Sequence, residues 1–266
     1  DLSEAQLVSH FRESFPRGER TIIGIGDDCA QVAAPEGSFI VTTDVMVEDQ
    51  HFHLSWSTGY EVGARVAAQN LADIDAMGGR PSGLVASVVA PRDMDAEVFL
   101  DVVRGLGERA REVGAGVVGG DLSAGEKLVI SITAFGYCPG PIVRRDGAQP
   151  GDVIAVSGTL GFSYAGLDLL EGGYVDPSAR GSEELGDLAP FIDTYRAPHP
   201  PLGSGVAAAA AGATAMMDLS DGPAADARRM AQASGLVIEF DRPALEAEAR
   251  LLQVPAQVCQ ADPVWW

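Results

Sequence analysis

The residues of this sequence best suited to chemistry are carboxylates and hydroxyls gathered in five short clusters. They are Gly24-Ile25-Gly26-Asp27-Asp28-Cys29-Ala30, Thr42-Thr43-Asp44-Val45-Met46-Val47-Glu48, Asn70-Leu71-Ala72-Asp73, Gly119-Gly120-Asp121 and Asp218-Leu219-Ser220-Asp221-Gly222. Each reads as the tip of a strand, a turn or the face of a helix. Hard oxygen donors of this kind suit Mg²⁺, which binds through one or two carboxylates together with substrate phosphates. The set as a whole reads as a polymetal site holding the phosphates of a nucleotide.

Each cluster also has a simpler reading. Adjacent Asp27 and Asp28 repel each other unless a cation or a helix N-terminus is near, yet an Asp-Asp pair in a surface turn is common. Thr42-Thr43-Asp44 ends an apolar strand, where successive side chains face opposite ways and could reach different ions. Its simpler reading is a β-prone threonine pair before a turn. That reading weakens once Asp73 is added, because a carboxylate among Val66, Ile74 and Met77 needs compensation. Gly119-Gly120 offers backbone that can approach a ligand closely before Asp121, and its simpler reading is a common Gly-Gly turn. Asp218-x-Ser220-Asp221-Gly222 runs from strand through turn to helix, where a helix N-terminus binds phosphate or is capped by Asp221. The cap explains Asp221 but not Asp218. Arg144-Arg145 offers a fork for phosphate oxygens, although the pattern alone favours a solvated pair. His51 and His53 flank Phe52, one of them a candidate substrate contact. Neither has a second His or Cys at zinc-ligand spacing.

These groups need elements to position them. Phe39 to Val47 has strand composition. From Tyr60 to Met77, Val62, Val66, Ile74 and Met77 recur at helical spacing, Gly78-Gly79 supplies a stop, and Asn70 and Asp73 share a face. A strand over Gly83 to Val89 precedes a helix bearing Val98, Val102, Leu106 and Ala110. A short strand, Gly114 to Val118, leads into Gly119-Gly120-Asp121, and Leu128 to Phe135 is another strand. The Pro-, Gly- and Arg-rich stretch from Pro139 to Gly151 marks a lobe boundary, giving domains over 1–138 and 139–266. The second half reads as strand (Asp152 to Ser157), helix (Phe162 to Leu170), acidic loop (Gly172 to Asp187), helix (Gly203 to Ala213), strand (Ala215 to Leu219), helix (Ala224 to Ala233) and strand (Val237 to Phe240). This alternation predicts an α/β fold, or α+β layers.

Composition narrows the function. The formal net charge of −20 argues against a nucleic-acid partner and an anionic membrane surface. Lys127 is the single lysine, so no Gly-x-x-x-x-Gly-Lys-Ser/Thr phosphate loop exists, and the protein-kinase motifs are missing too. Phosphate chemistry here must rest on metal ions and arginine. Cys29, Cys138 and Cys259 lack C-x-x-C spacing and read as reduced thiols of a cytoplasmic protein. The apolar stretch from Val206 to Met217 is too short to cross a bilayer. The absence of an initiator Met before Asp1 and the ending on Trp265-Trp266 read as a chain missing residues at its ends.

Taken in order, the segments resemble thiamine-monophosphate kinase, of the superfamily that includes aminoimidazole ribonucleotide synthetase and selenophosphate synthetase. The matching stretches are Gly-Ile-Gly-Asp-Asp-Cys-Ala (24–30), Thr-Thr-Asp-x-x-Val-Glu-x-x-His-Phe (42–52), Asn-Leu-Ala-Asp-Ile-x-Ala-Met-Gly-Gly (70–79), Gly-Gly-Asp (119–121), Arg-x-Gly-Ala-x-Pro-Gly-Asp (145–152) and Met-Asp-Leu-Ser-Asp-Gly (217–222). The resemblance implies an N-terminal ATP- and Mg-binding lobe whose sheet pairs with a second subunit in a homodimer, and a C-terminal α/β lobe across a cleft. It implies that Asp28, Thr42, Thr43, Asp44, Asp73, Asp121, Asp218 and Asp221 are Mg²⁺ ligands. Gly120, Asp121, Arg145 and Ser220 would touch ATP, and His51 would lie against thiamine monophosphate. No residue is assigned as covalent nucleophile or base, and a monovalent cation is a further possible cofactor. The family's Gly-Gly-Glu-Asp motif and a later aromatic substrate contact have no counterpart in this sequence. Two alternatives stand beside this reading: another ATP-using member of the superfamily, or a non-catalytic acidic metal-binding module.

Overall fold

In the computed structural model, the described residues are 11–251 apart from 12, 24–30 and 36. Asp27 and Asp28 therefore lie outside the described residues, as do Cys29, Cys259 and the two terminal tryptophans. The chain divides into two compact units, one of residues 1–142 with 202–211 and one of residues 143–201 with 212–266.

The first unit is built on a four-stranded sheet with two helices against one face. Its strands are β3 (Ile40–Val47), β4 (Arg80–Ala90), β5 (Gly116–Ala124) and β6 (Val129–Tyr137), in the order β3-β6-β4-β5. A separate antiparallel pair, β1 (Thr21–Ile23) and β2 (Gln31–Val32), precedes them. β6 pairs antiparallel with both neighbours, while β4 and β5 run parallel. A parallel pair needs a crossover, supplied here by α2 (Ala96–Glu112). Helix α1 (Gly59–Ala76) sits between β3 and β4 in the chain.

α1 begins with a reciprocal cap. Thr58 Oγ1 accepts the Glu61 amide at 3.2 Å, and Glu61 Oε2 accepts the Thr58 amide at 2.7 Å. Its apolar stripe, Val62, Val66, Leu71 and Ile74, packs with Met46, Phe52, Leu84, Leu106, Leu128, Ile130 and Ile132. The approach of α1 to α2 is closer than side chains would allow. A Cβ on Gly59, Gly63 or Gly105 would meet the opposing helix backbone at 2.1, 2.0 or 2.0 Å.

The expected strand Gly114 to Val118 continues further than its composition implied. β5 runs through Gly119, Gly120 and Asp121, so this Gly-Gly is strand and not turn. The reason is local: a Cβ on Gly120 would lie 2.0 Å from the Ala86 carbonyl oxygen, so the absent side chain lets β5 approach β4.

The second unit holds helices α3 (Phe162–Glu171), α4 (Gly181–Leu185), α5 (Ala189–Arg196), α7 (Pro223–Ser234) and α8 (Arg242–Leu251), with a short 3₁₀ turn at Gly186–Leu188. The intervening α6 (Ser204–Ala210) belongs to the first unit. Part of the expected acidic loop is therefore helical. The expected strands at Asp152 to Ser157, Ala215 to Leu219 and Val237 to Phe240 form no ladder among the described residues. Val153 and Val237 are 92% and 93% exposed, so no buried face rewards pairing there.

α6 is fastened to α1 by one buried carboxylate. Asp75 Oδ1 accepts the Gly203 amide and Oδ2 the Gly205 amide, both at 2.9 Å, with Ser204 Oγ donating to Oδ2 at 3.4 Å. In unfolding by urea, Gly63→Ala is expected to lose about 1–3 kcal/mol through overpacking of the α1–α2 contact. Gly140→Ala, with nothing within 4 Å of its Cβ, is expected to unfold at the wild-type midpoint.

Candidate phosphate and metal site

Strand β3 and helix α1 bring several of the candidate residues together. Thr42 Oγ1 donates to Asp73 Oδ2 at 2.6 Å, a short bond of the kind a charged acceptor makes. One turn earlier on the helix, fully buried Asn70 accepts the Asp44 amide on Oδ1 at 3.1 Å and donates from Nδ2 to the Val66 carbonyl at 2.9 Å. Asn70 was legible only as part of a motif. Its role comes from satisfying both ends of a buried amide.

Thr43 is not brought to this group. Its hydroxyl donates to the Ile132 carbonyl at 2.9 Å and accepts from Thr133 Oγ1 at 3.2 Å, on the other face of the sheet. Register then locates Asp121. Asp44 pairs with Ile132, Ile132 with Ala86, and Ala86 with Gly120, so Asp44 and Gly120 share one row at opposite sheet edges. Three strand spacings make that about 14 Å. Asp121 pairs with Ser87, placing it on the face opposite Asp44, and its Oδ2 accepts from Ser123 Oγ at 3.2 Å. Among the described residues, no three His, Cys, Asp or Glu side chains come together in a way that could hold one metal ion.

The loop after β3 is an arch that displays His51. The Asp49 amide donates to the Phe52 carbonyl at 2.8 Å, the His51 amide to the Val47 carbonyl at 2.9 Å, and Phe52 is buried. The Val47 amide donates to His51 Nδ1 at 3.0 Å. Nδ1 must accept, so a neutral His51 carries its proton on Nε2 and presents a donor outward. Asp49 stands at φ 64°, in the left-handed region. Lys127 Nζ lies 3.0 Å from one of its oxygens and His53 Nδ1 3.2 Å from the other. The Lys127 contact holds the Asp49 carboxyl below the usual carboxylate range. Lys127 stands out in the sequence only as the single lysine and Asp49 not at all, because the two are far apart along the chain.

In the second unit, the stretch 145–152 is braced from two sides. Ser234 Oγ donates to the Arg145 carbonyl at 3.0 Å and accepts the Ala148 amide at 3.3 Å, leaving the Arg145 side chain exposed. Asp152 Oδ2 accepts the Gln149 amide at 2.8 Å and Thr214 Oγ1 at 2.5 Å. Asp218 is partly buried, whereas Ser220 and Asp221 are exposed just before α7. Arg229, which the sequence pattern did not single out, pairs with Asp221 and with the buried Asp226.

The described donors are oxygens of carboxylates and hydroxyls on a rigid strand–helix frame, a chemistry that fits a hard cation. The sheet with its crossover and these donors define a class. Residues 26–138 match the model of the AIR synthase related protein N-terminal domain. Across its whole length the chain is 42% identical to a thiamine-monophosphate kinase of Mycobacterium tuberculosis, covering 77% of that protein. It is 38% identical to the Corynebacterium glutamicum enzyme of that name over 246 residues, covering 91% of this chain and 72% of the other. The crystal structure of thiamine-monophosphate kinase from Stenotrophomonas maltophilia superposes with a TM-score of 0.78 at 30% identity, over 88% of this chain and 73% of that one. A structure of AaThiL complexed with AMPPCP and TMP gives a TM-score of 0.71 at 29% identity, over 99% and 80%. The chain belongs to the thiamine-monophosphate kinase family.

The bracing of 145–152 has a pH signature. The Thr214 hydroxyl, with the Gln149 amide, holds the Asp152 carboxyl below the usual carboxylate range. A carboxyl lowered in the folded state stabilises above its unfolded pKa, and that contribution is lost as pH falls through the folded value. Urea midpoints followed from pH 7 down to about 2.5 are expected to fall less steeply below about pH 4 in Asp152→Asn than in wild type.

Proposed function

We propose that this protein transfers the γ-phosphoryl group of ATP to the phosphate of thiamine monophosphate, giving thiamine diphosphate and ADP. The bond between the γ-phosphorus and its bridging oxygen breaks, and a phosphate oxygen of thiamine monophosphate bonds to that phosphorus. The attacking oxygen is already anionic, so the reaction needs no strong base. Its demands are in-line positioning and neutralisation of two approaching polyanions.

The observation that carries the reading is the strand–helix clip of Thr42, Asp44, Asn70 and Asp73, within a chain of this family. Asp28, Thr42, Thr43, Asp44, Asp73 and Asp121 of the first unit, with Asp218 and Asp221 of the second, would hold Mg²⁺. Bound Mg²⁺ supplies charge neutralisation for the phosphates and orients their oxygens. The opposite sheet faces of Asp44 and Asp121, at opposite edges, favour more than one ion. Gly120, Asp121, Arg145 and Ser220 would contact ATP, with the exposed Arg145 guanidinium as a fork for phosphate oxygens. His51 would turn its Nε2 proton toward thiamine monophosphate. A homodimer is supported by the sheet face turned away from the helices, where Val41 and Val45 are exposed beside Phe39.

Mixing the protein with ATP, Mg²⁺ and thiamine monophosphate and following phosphorus NMR tests this. Thiamine diphosphate and ADP signals are expected in equal amounts. ATP consumed only with another acceptor would move the function to a sister enzyme of the superfamily, and no ATP turnover would favour the non-catalytic module. Asp44→Asn and Asp121→Asn are each expected to lower kcat at least about a hundredfold, with a circular dichroism spectrum like that of wild type. Unchanged turnover in both would exclude the metal assignment.

A further inference from the structure

We infer that Asp226 and Arg229 are positioning residues that fix the orientation of Asp221. The inference rests on the reading above, in which Asp221 meets the metal ion. It starts from how α7 begins. Gly222 stands at φ 98° and, having no side chain, makes no side-chain cap; the first helical bond runs from the Asp226 amide to the Gly222 carbonyl at 3.1 Å. The turn before the helix must therefore be held by something else.

Asp226 does this from below. It is 0% exposed, and its two carboxylate oxygens face different partners. Oδ2 accepts the Asp221 amide at 3.0 Å, and Oδ1 accepts from Arg229 Nη1 at 2.5 Å. The other arm of the same guanidinium, Nη2, pairs with the Asp221 carboxylate. A closed ring results: main chain of Asp221, carboxylate of Asp226, guanidinium of Arg229, carboxylate of Asp221. Backbone and side chain of a single residue are thus fixed by one planar cation seated on one buried anion.

Helix capping alone would need only the bond from Asp226 to the Asp221 amide. It gives no reason for the guanidinium to reach both carboxylates. An exposed pair of Arg229 with Asp221 alone would also be weak and loosely oriented. Seated on Asp226, the fork has lost most of its rotational freedom, so the Asp221 carboxylate meets a fixed partner and keeps lone pairs turned elsewhere. This is how a carboxylate is pre-aimed before a cation reaches it.

The test uses the full-length protein and four variants, each read below its melting temperature. Asp226→Asn keeps an oxygen for the Asp221 amide but removes the charge that seats Arg229. Arg229→Gln removes the fork and leaves the buried Asp226 carboxylate without its cation, a loss of stability that reading below the melting temperature keeps apart from metal binding. Arg229→Lys restores a cation that can meet one carboxylate at a time, and Asp221→Ala removes the residue being positioned. Mn²⁺ binding is read by electron paramagnetic resonance in the presence of a non-hydrolysable ATP analogue, and Mg²⁺ dependence by steady-state rate. Asp226→Asn and Arg229→Gln are expected to weaken Mn²⁺ binding about tenfold and to raise half-saturating Mg²⁺ by a similar factor. KM for thiamine monophosphate should stay within about twofold, and Arg229→Lys should recover part of the loss. If both variants melt lower yet bind Mn²⁺ as wild type does, while Asp221→Ala binds it weakly, the positioning role is overturned. If Asp221→Ala itself binds Mn²⁺ as wild type does, it is the metal reading of Asp221 that fails.

Discussion

The buried side-chain amide of Asn70 is the constraint on which the first unit depends. An amide removed from water costs free energy unless both its ends are paired. Asn70 meets this by donating within its own helix and accepting from the backbone of β3. Strand and helix are thereby locked in one register, and the Thr42–Asp73 bond falls one helical turn away. A slip of β3 by one residue would turn Thr43 toward α1 and send Thr42 and Asp44 to the other face. The glycines of the α1–α2 contact serve the same end. They bring α2 close enough to bury the apolar stripe of α1 while its polar positions remain on β3.

The second unit relies on charged groups buried against backbone. Arg196 is wholly buried and donates to the carbonyls of Ala179 at 2.9 Å and Pro177 at 2.7 Å, tying α5 to the chain before α4. Leu169, Phe191, Ile192 and Tyr195 are buried on α3 and α5, which pack together. A guanidinium in such a place is tolerated because carbonyl oxygens take over from water. Backbone is likewise the partner in 145–152, where Ser234 binds the main chain of Arg145. Holding the backbone leaves the guanidinium of Arg145 directed to solvent, as a phosphate contact requires.

Elements set by local pattern were legible in the sequence. The stripes of α1 and α2 and the strand β3 appear near the expected bounds. What could not be read depends on contacts between distant residues. Gly119-Gly120 looks like a turn until the neighbouring Ala86 carbonyl is known to need the space. Val153 to Val156 and Val237 to Phe240 have strand composition, but a strand exists only with a partner for its backbone. The motif residues were visible as a set, whereas their division between two faces of one sheet follows from a register that no single segment encodes. Asp226 was hidden for a similar reason: an acid one turn into a helix looks like ordinary surface charge until its burial is seen.

The way positive charge is used completes the physical picture. Against a net charge of −20, six of the described cations are paired with carboxylates. Lys127 pairs with Asp49, Arg104 with Asp101, Arg109 with Glu112, Arg144 with Asp146, Arg229 with Asp221 and Asp226, and Arg242 with Glu246. In these places the side-chain cations orient acids. A chain so acidic repels polyanions at a distance, and each phosphate oxygen brought near Asp44 or Asp73 would add to that repulsion. On the proposed reading, the same carboxylates that repel free phosphate become its anchor once a divalent ion stands between. Discrimination then follows from charge: a nucleotide arriving with its metal is attracted to these donors, and a bare phosphate is not.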